Sequence, residues 1–301
     1  MQNEKTKIFR SGFVSIIGRP NVGKSTLLNA ILGQKVAIAS HKPQTTRNRI
    51  LGICNHAEGQ VLLLDTPGLH RAKGLLNQFM VEQALSACSD VDAILFLAEA
   101  DDRIGGGDEY ILEVLAKSKV PVILVLNKID LVERPRLLPL IDVYSRKFPF
   151  TAIVPVSALT GEGVEDLVGT VIDLLPEGPQ YYPEDMVTDL PERFIVAEMV
   201  REQILKQVHD EIPYGVAVTV DQFEEKPEKN LVVIQAVVHL EREAHKSIIL
   251  GKGGAKIRSI GKAARYDIER LLGTRVFLEL FVRVEKNWTQ SKRLLKDFGY
   301  E

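Results

Sequence analysis

Gly18-Arg19-Pro20-Asn21-Val22-Gly23-Lys24-Ser25 is the stretch that decides the fold of the first half of the chain. The mostly apolar residues 13–17 predict a buried strand before it, and the run TLLNAIL at residues 26–32 predicts a helix after it. A glycine-rich turn from a strand into a helix directs backbone amides at one point, where they can bind phosphate groups. The pattern therefore predicts a P-loop, and the alternative is a glycine-rich turn without a ligand.

Each residue type in this loop suits the binding of a polyphosphate. Lys24 supplies positive charge for the β- and γ-phosphates and is a catalytic candidate, whereas the Ser25 hydroxyl suits Mg²⁺. The candidate nucleotide-binding residues of this segment are Gly18, Arg19, Pro20, Asn21, Val22, Gly23, Lys24, Ser25 and Thr26.

Length and composition predict a globular protein of about two domains, because the chain has 301 residues, 45% hydrophobic and 26% charged. Its longest apolar runs are far shorter than the roughly 20 residues of a membrane span. The N-terminal residues lack the apolar core of a secretory signal, and Cys54 and Cys88 show no disulfide or metal-ligand spacing. We therefore expect a cytoplasmic protein.

A polar segment after the predicted helix, residues 40–47, is too hydrophilic to lie in a core. A threonine in such a loop can reach Mg²⁺ and the γ-phosphate, so that the loop becomes ordered when a triphosphate binds. Thr46 is the first candidate and Thr45 the second. Thr46 is accordingly assigned both a catalytic and a metal-binding role.

The next strand-like run, residues 61–64, ends in Asp-Thr-Pro-Gly, the position of a Walker-B aspartate. Asp65 suits the hydration shell of Mg²⁺, and the amide of Gly68, a third catalytic candidate, suits the γ-phosphate. Leu69 cannot orient a water molecule by hydrogen bonding, so we expect slow intrinsic hydrolysis. His70 is expected to be a surface residue. This segment adds four nucleotide-binding candidates, Asp65, Thr66, Pro67 and Gly68, and completes a candidate metal set of Ser25, Thr46 and Asp65.

Two further strand patterns, residues 93–98 and 120–126, flank a helix-like stretch and predict a parallel sheet. The second ends in Asn-Lys-Ile-Asp, where an aspartate can accept the N1 and N2 protons of guanine, an arrangement that adenine cannot reproduce. A later strand pattern at residues 153–156 leads to Ser-Ala-Leu, where an amide can donate to guanine O6. The candidate base-binding residues are Asn127, Lys128, Asp130, Ser157, Ala158 and Leu159.

The segments GRPNVGKS, QTTR, DTPG, NKID and SAL resemble, in this order, the five nucleotide motifs of the translation-factor-like GTPases, and GRPNVGKSTLLN with QTTR resembles the Era branch in particular. The resemblance implies an α/β GTPase domain with a mostly parallel sheet, which uses GTP as substrate and Mg²⁺ as cofactor. It also implies that Asn21 helps to bind a K⁺ ion that replaces a missing catalytic group.

A segment with four prolines, residues 176–191, separates this domain from the rest of the chain and is expected to lack regular structure. Helical spacing follows at residues 192–209, and two strand patterns lie at 215–220 and 231–240, with the polar segment DQFEEKPEKN as their hairpin loop. Residues 276–284 predict a last strand. Trp288, the only tryptophan, is expected to anchor the C-terminal helix by packing.

The second half of the chain contains Gly251-Lys252-Gly253-Gly254, a GXXG loop expected between two short helices. Small residues and helix amides let a nucleic-acid backbone approach, and no acidic residue occurs between Glu243 and Asp267. This element order resembles a type II KH domain, an α+β fold, and single-stranded RNA fits it better than duplex DNA. The candidate RNA-binding residues are Ile249, Gly251, Lys252, Gly253, Gly254, Lys256, Ile257 and Arg258.

The predicted organisation is a GTP-binding domain at residues 8–176, a linker at 177–190 and a KH domain at 191–301. The Era resemblance covers nearly the whole chain and implies a GTP switch that binds 3′-terminal single-stranded small-subunit (16S) rRNA. A monomer is expected, although the sequence itself leaves the oligomeric state open. It further implies a role in processing and assembly of the 30S ribosomal subunit, in the cytoplasm and peripherally at the inner membrane. The alternative is a GTP-sensing switch whose partner is a membrane or a protein, with a structural KH-like domain. An ATP-using phosphotransferase is disfavoured by Asn127 and Asp130.

Overall fold

The P-loop connects strand β1 (Arg10–Gly18) to helix α1 (Lys24–Leu32), as the sequence predicts. The structure, a computed structural model, describes residues 8–40, 42, 44–69, 75–86, 90–101, 104–208 and 215–300. His70 and Cys88 lie outside the described residues.

The first sheet has six strands in the order β2-β3-β1-β4-β5-β6. β2 pairs antiparallel with β3, and all other neighbours are parallel. The central strands are apolar along nearly their whole length because helices cover both faces of such a sheet. The bounds are β2 Ile50–His56, β3 Gly59–Asp65, β4 Ala93–Glu99, β5 Val122–Asn127, β6 Ala152–Pro155, α2 Leu75–Ser86, α3 Gly106–Leu115, α4 Leu137–Lys147 and α5 Val164–Leu174. The predicted mostly parallel α/β sheet is confirmed.

The carboxyl ends of the parallel strands bring the sequence motifs to one edge of this sheet. β1 ends at the P-loop, β3 ends at Asp65, and β5 ends at Asn127. In open α/β sheets this edge is where ligands bind.

The segment from residue 177 to residue 190 contains no helix and no strand of either sheet, as expected from its prolines. It contacts β2 through hydrogen bonds. The Ile53 amide donates to the Val187 carbonyl (2.8 Å), the Thr188 hydroxyl donates to the Leu51 carbonyl (2.7 Å), and the Asn55 side chain donates to the Glu184 carbonyl (2.9 Å).

The C-terminal part has the predicted α-β-β-α-α-β order, followed by a short helix. Its three-stranded sheet, β7-β8-β9, combines an antiparallel pair with a parallel one. One apolar core joins α6, the sheet and α8, with Val200, Ile234 and Ile260 fully buried. The bounds are α6 Glu192–Gln207, β7 Val216–Lys226, β8 Leu231–Leu240, α7 Glu243–Leu250, α8 Ala255–Leu272, β9 Arg275–Val284 and α9 Lys292–Asp297.

Two local expectations about this part are wrong. The acidic segment predicted as a hairpin loop is strand as far as Lys226, because β7 continues through a bulge between Val220 and Gln222 with its polar side chains outside the core. The second helix beside the GXXG turn is long, since α8 runs for 18 residues.

Trp288 is a packing anchor near the C-terminus, as predicted. It is fully buried, and its indole Nε1 donates to the Gly215 carbonyl at 3.1 Å. Its ring lies stacked 5.8 Å from Tyr300 and packs in one cluster with Leu295 and Leu76.

The described chain divides into two compact units. The first contains the described residues of 1–37, 46–71 and 80–189, and the second those of 38–45, 72–79 and 190–301. The described residues of segment 38–45, in the threonine loop, therefore belong to the same unit as α6. None of the helices in the described ranges is both long and apolar enough to span a membrane.

Candidate functional site

The conformation of the P-loop depends on a glycine with positive φ and on one buried lysine. Gly23 precedes α1 with φ of 100°, and a Cβ there would come within 2.2 Å of the Asn127 amide nitrogen, so only glycine fits. Lys24 Nζ donates to the carbonyls of Gly18 (3.1 Å) and Arg19 (2.8 Å). Burial lowers the pKa of Lys24 to about 8, although the nearby Asp65 charge opposes this shift. The lysine is a buried cation that faces the loop.

Ser25, Thr46 and Asp65 form a chain of buried oxygen atoms beside the P-loop. Ser25 Oγ donates to Asp65 Oδ2 at 2.7 Å and lies 2.7 Å from Thr46 Oγ1. Because serine has one hydroxyl proton, Thr46 is the donor in the second contact. Thr45, the second candidate of the sequence, instead donates to the Lys42 carbonyl at 2.6 Å. The structure thus brings the three candidate metal residues together.

Asp65 carries an unsatisfied buried oxygen at this cluster. Among the described residues, no hydrogen-bond partner reaches its Oδ1 atom. Burial raises the pKa of Asp65 to about 6, against the opposing effects of the Ser25 hydrogen bond and the Lys24 charge. An orphaned carboxylate oxygen next to two hydroxyl groups is a donor set that a hard divalent cation prefers, so these residues fit Mg²⁺.

The Asp-Thr-Pro-Gly segment packs directly against the P-loop. A Cβ on Gly68 would lie 2.7 Å from the backbone of Pro20, which accounts for glycine at this position. The Leu69 amide donates to the Gly18 carbonyl at 3.2 Å, and its side chain is buried. The Thr66 hydroxyl donates to the Ile16 carbonyl at 2.8 Å.

Asn127 links three segments that the sequence assigns to base binding or to the P-loop. Its Nδ2 donates to the Val22 carbonyl at 2.8 Å, and its Oδ1 accepts the Ala158 amide at 2.9 Å. Ser157 Oγ donates to Asp130 Oδ1 at 2.6 Å, which orients that carboxylate. The Leu159 side chain is 80% exposed, so it lies on the surface at the outer edge of the candidate base-binding residues.

Two ion pairs support the loops that flank this site. Arg19 forms a 3.0 Å ion pair with the fully buried Asp108 at the start of α3. Lys128 adopts a left-handed backbone with φ of 67° and is ion-paired with Glu99. Asn21 is exposed and also has φ of 67°.

Sequence reasoning missed Asp108 and Glu99. Asp108 carried a signal, because an acidic residue three positions after a helix N-cap is a capping-box position, and its carboxylate accepts the Gly105 amide at 3.2 Å. Glu99 ends a buried strand, and nothing local distinguished it.

The GXXG turn in the second unit is made by glycines with positive φ. Gly251, Gly253 and Gly254 have φ of 68°, 57° and 77°. A Cβ on Gly251 would come within 2.7 Å of the Lys256 Cβ, whereas a Cβ on Gly253 would meet open space. Lys252 is exposed at the turn.

The other RNA-binding candidates divide between surface and core. Arg258 is exposed, Ile257 is partly buried, and Lys256 Nζ donates to the Gln207 carbonyl at 3.2 Å. Ile249 needs correction, because its side chain is fully buried in the core and cannot contact a base. Ile248 is the exposed member of the pair, at 49%. Two adjacent isoleucines at a helix end carry no sequence signal for which one faces the core.

Two family profiles match the chain. The profile described as "50S ribosome-binding GTPase" matches residues 13–128, and the KH-domain profile matches residues 211–289. Among curated proteins, a GTPase Era from Geotalea uraniireducens is 58% identical over 98% of this chain and 99% of its own length. One from Geobacter metallireducens is 55% identical over 97% and 98%. The chain belongs to the Era GTPase family.

Solved Era structures agree with this assignment over the whole fold. An Aquifex aeolicus Era variant bound to GDP·AlF4⁻ has a TM-score of 0.93 at 43% identity, covering 97% of this chain and 99% of its own. Era in complex with MgGDPNP and nucleotides 1506–1542 of 16S ribosomal RNA has a TM-score of 0.94 at 42% identity, with the same coverage. As an Era-family member the chain is a GTPase, with a P-loop domain followed by a KH domain.

Proposed function

We propose that this Era-family GTPase binds GTP and GDP with Mg²⁺ and is a switch for binding single-stranded RNA from the 3′ end of 16S rRNA. The switch serves the processing and assembly of the 30S ribosomal subunit. The observation that carries the proposal is full-length similarity to Era, which has been captured with MgGDPNP and nucleotides 1506–1542 of that RNA.

In this proposal the residues of the sheet edge share the work of nucleotide binding. Lys24 neutralises the phosphate oxygens, while Ser25, Thr46 and Asp65 would hold Mg²⁺. When bound, the ion would supply positive charge to the phosphates. The Gly68 amide would donate to the γ-phosphate. The oxygen of a water molecule bonds to the γ-phosphorus while the bond from that phosphorus to the β–γ bridging oxygen breaks, which gives GDP and phosphate. The buried Leu69 cannot orient that water, so intrinsic turnover is slow.

RNA binding is assigned to the turn between α7 and α8. Positive-φ glycines keep side chains away from the turn, so a nucleic-acid backbone can approach its amides. Lys252 and Arg258 are exposed and add positive charge there. The neighbouring groove of a KH domain seats about four unpaired nucleotides.

The test is the affinity of the full chain for a single-stranded RNA from the 3′ end of 16S rRNA, at fixed salt. It is measured without nucleotide, with GDP and with a non-hydrolysable GTP analogue, each with Mg²⁺. Tighter binding with the analogue than with GDP is expected. A scrambled RNA of the same composition is the control. Equal binding in all states contradicts the switch, and no binding in any state contradicts the RNA assignment.

Guanine selectivity is assigned to Asp130, whose carboxylate Ser157 orients at 2.6 Å. The Asp130→Asn variant loses the acceptor for the guanine N2 protons and should prefer xanthosine nucleotides. Competition between GDP and XDP measures this preference. An unchanged preference for GDP removes the assignment.

We propose a K⁺ site at Asn21 on the family resemblance and on its exposed, left-handed backbone in the P-loop. Hydrolysis should be faster in K⁺ than in Na⁺, and the Asn21→Ala variant should lose the difference. Equal rates in both salts would exclude a role for K⁺.

The protein is further proposed to be a cytoplasmic monomer that associates peripherally with the inner membrane. Exposed Lys252, Arg258 and Lys262 give the KH unit a basic surface that suits anionic headgroups. Flotation with anionic vesicles should carry the protein upward, and competing RNA should release it. If the protein does not float, the proposed membrane association is wrong, and the rest of the proposal is unaffected. Analytical sedimentation measures the oligomeric state and so tests the proposed monomer.

A further inference from the structure

α6 carries two buried charges that contact the loop preceding Thr46. Arg201 is completely buried and Glu202 is 1% exposed, which is unusual for these residue types unless they are paired. Both lie in the second unit, together with loop segment 38–45. Their partners identify what they do.

The guanidinium of Arg201 donates hydrogen bonds both to its own helix and to the loop. On one side, Nε and Nη2 donate to the two carboxylate oxygens of Glu198 at 2.7 and 2.6 Å. On the other side, Nη1 donates to the Gln44 carbonyl at 3.4 Å and Nη2 donates to the Thr45 carbonyl. A planar, permanently charged fork is suited to holding a carboxylate and two carbonyls at once.

The same loop is attached to α6 at two other points. Glu202 Oε1 accepts the Ala39 amide at 3.0 Å, and its Oε2 pairs with Lys206 at 3.0 Å. Lys42 Nζ donates to the Val208 carbonyl, just after the helix, at 2.5 Å. The described residues of segment 38–45 are thus attached through the backbone of Ala39, Gln44 and Thr45 and through the side chain of Lys42.

This attachment ends at the residue next to the candidate metal cluster. Consecutive Cα atoms are about 3.8 Å apart, so a fixed Thr45 carbonyl restricts where Thr46 can lie. Thr46 Oγ1 lies 2.7 Å from Ser25 Oγ, which in turn bonds Asp65. The fixed carbonyl therefore lowers the conformational entropy lost when Thr46 reaches a bound cation.

We propose that Arg201 is a positioning residue for Thr46 in the GTP·Mg²⁺ state and acts through the Thr45 carbonyl. The inference rests on the proposed function of the nucleotide site. GDP has no γ-phosphate for the threonine loop to reach, so Arg201 contributes to binding of the triphosphate and to turnover, and not to binding of GDP.

The experiment measures affinities for fluorescent GDP and for a fluorescent non-hydrolysable GTP analogue, with the Mg²⁺ concentration varied. Arg201→Gln should lower the affinity for the GTP analogue about 10- to 100-fold and leave the affinity for GDP unchanged. It should also raise the Mg²⁺ concentration that half-maximal binding of the analogue requires. Arg201→Lys keeps the charge beside Glu198 without the fork, so its loss should be smaller. The turnover number should fall in the same order.

A matched control lies on the same helix. Gln203 is also buried, but its side chain donates to Asp267 at 2.9 Å and not to the loop. Gln203→Ala should leave the ratio of analogue to GDP affinity unchanged, even if it lowers the thermal midpoint. An equal change in that ratio would assign the Arg201 effect to general loss of packing and overturn the proposal.

A double-mutant cycle with Thr46→Ala tests the route of action. Because Arg201 is proposed to act through Thr46, Arg201→Gln should have no further effect in the Thr46→Ala background. Additive losses would overturn the positioning role while leaving the nucleotide site intact. A wild-type chain that binds neither nucleotide would instead overturn the proposed function itself.

Discussion

The nucleotide edge of the first sheet and the GXXG turn of the KH unit both face phosphate in the proposed function, yet they are built differently. At the sheet edge, Lys24 and Asp65 are buried. Burial lowers the pKa of Lys24 to about 8 and raises the pKa of Asp65 to about 6, in each case in favour of the uncharged form. At the turn, Lys252 is exposed and three glycines determine the backbone shape.

The contrast shows how one chain can bind phosphate in two ways. A buried lysine loses solvation in advance and is screened little by salt, so it suits a small ligand held in one geometry. An exposed lysine on a glycine turn suits a polymer whose backbone only has to come close. The first arrangement costs stability, whereas the second leaves the core untouched.

The largest effect is expected where the buried lysine is removed. Lys24→Ala loses a cation that makes charge-assisted hydrogen bonds to phosphate, and the affinity for GTP should fall about 100- to 1,000-fold. RNA affinity without nucleotide should not change. Lys117→Ala, which removes an exposed lysine after α3, is the control. Titration calorimetry measures both variants, and a small loss for Lys24→Ala would contradict its role.

Two substitutions of nearly equal size in the GXXG turn separate the effect of charge from the effect of shape. Gly253 points into open space, so both Gly253→Asp and the neutral Gly253→Asn fit sterically, and both residues tolerate positive φ. The aspartate should lower RNA affinity about 100-fold by repelling phosphate, with little loss for the asparagine and none in GTP binding. Equal losses for the two variants in a fluorescence-polarisation assay would point to shape and not to charge.

Salt separates the two phosphate sites in the unmodified protein. With about four phosphates contacted at a slope near −0.7 each, RNA affinity should fall about 50-fold between 50 and 200 mM salt. Nucleotide affinity should fall by less than about tenfold, because Lys24 is buried. Parallel slopes in the two titrations would remove the distinction between the sites.

The smallest expected effect concerns stability. Asp65 has a pKa of about 6 when folded and 3.8 as its ordinary value, so the folded state binds the proton more tightly and its stability falls as pH rises from 4 to 6. Without Mg²⁺, Asp65→Asn should raise the free energy of unfolding by about 1–2 kcal/mol at pH 7 and by little near pH 4. Urea unfolding in a chelator measures this.

The control for that measurement is Glu113→Gln, which replaces an exposed carboxylate on α3 and should change stability little at either pH. If Asp65→Asn instead lowers the free energy of unfolding, the prediction is wrong, and the Asp65 carboxylate already has sufficient partners without Mg²⁺.

The sequence predicted the nucleotide edge well because periodic apolar runs locate parallel strands, and the ends of such strands meet at one edge. It also predicted the element order of the KH unit. Strand β2 was missed, since an antiparallel strand at a sheet edge leaves no motif at its end.

Arg201 and Glu202 were missed for a different reason. Charged residues in a helical pattern predict a solvent-facing side, and only the fold reveals that these two are buried against a loop more than 150 positions earlier in the chain. Ile249 was assigned to RNA for a related reason, since local sequence does not resolve which of two adjacent isoleucines faces the core.

The segment 177–190, which is hydrogen-bonded to β2, affects how the chain avoids self-association. β2 is an edge strand, and an uncovered edge offers free amides and carbonyls to any other strand. The amide of Ile53 and the carbonyl of Leu51 are already taken by Val187 and Thr188. A chain ending at residue 176 would present this strand bare to a second copy, whereas one ending at residue 189 would retain its own cover. The segment that joins the two halves of the sequence is also the shield of the first sheet.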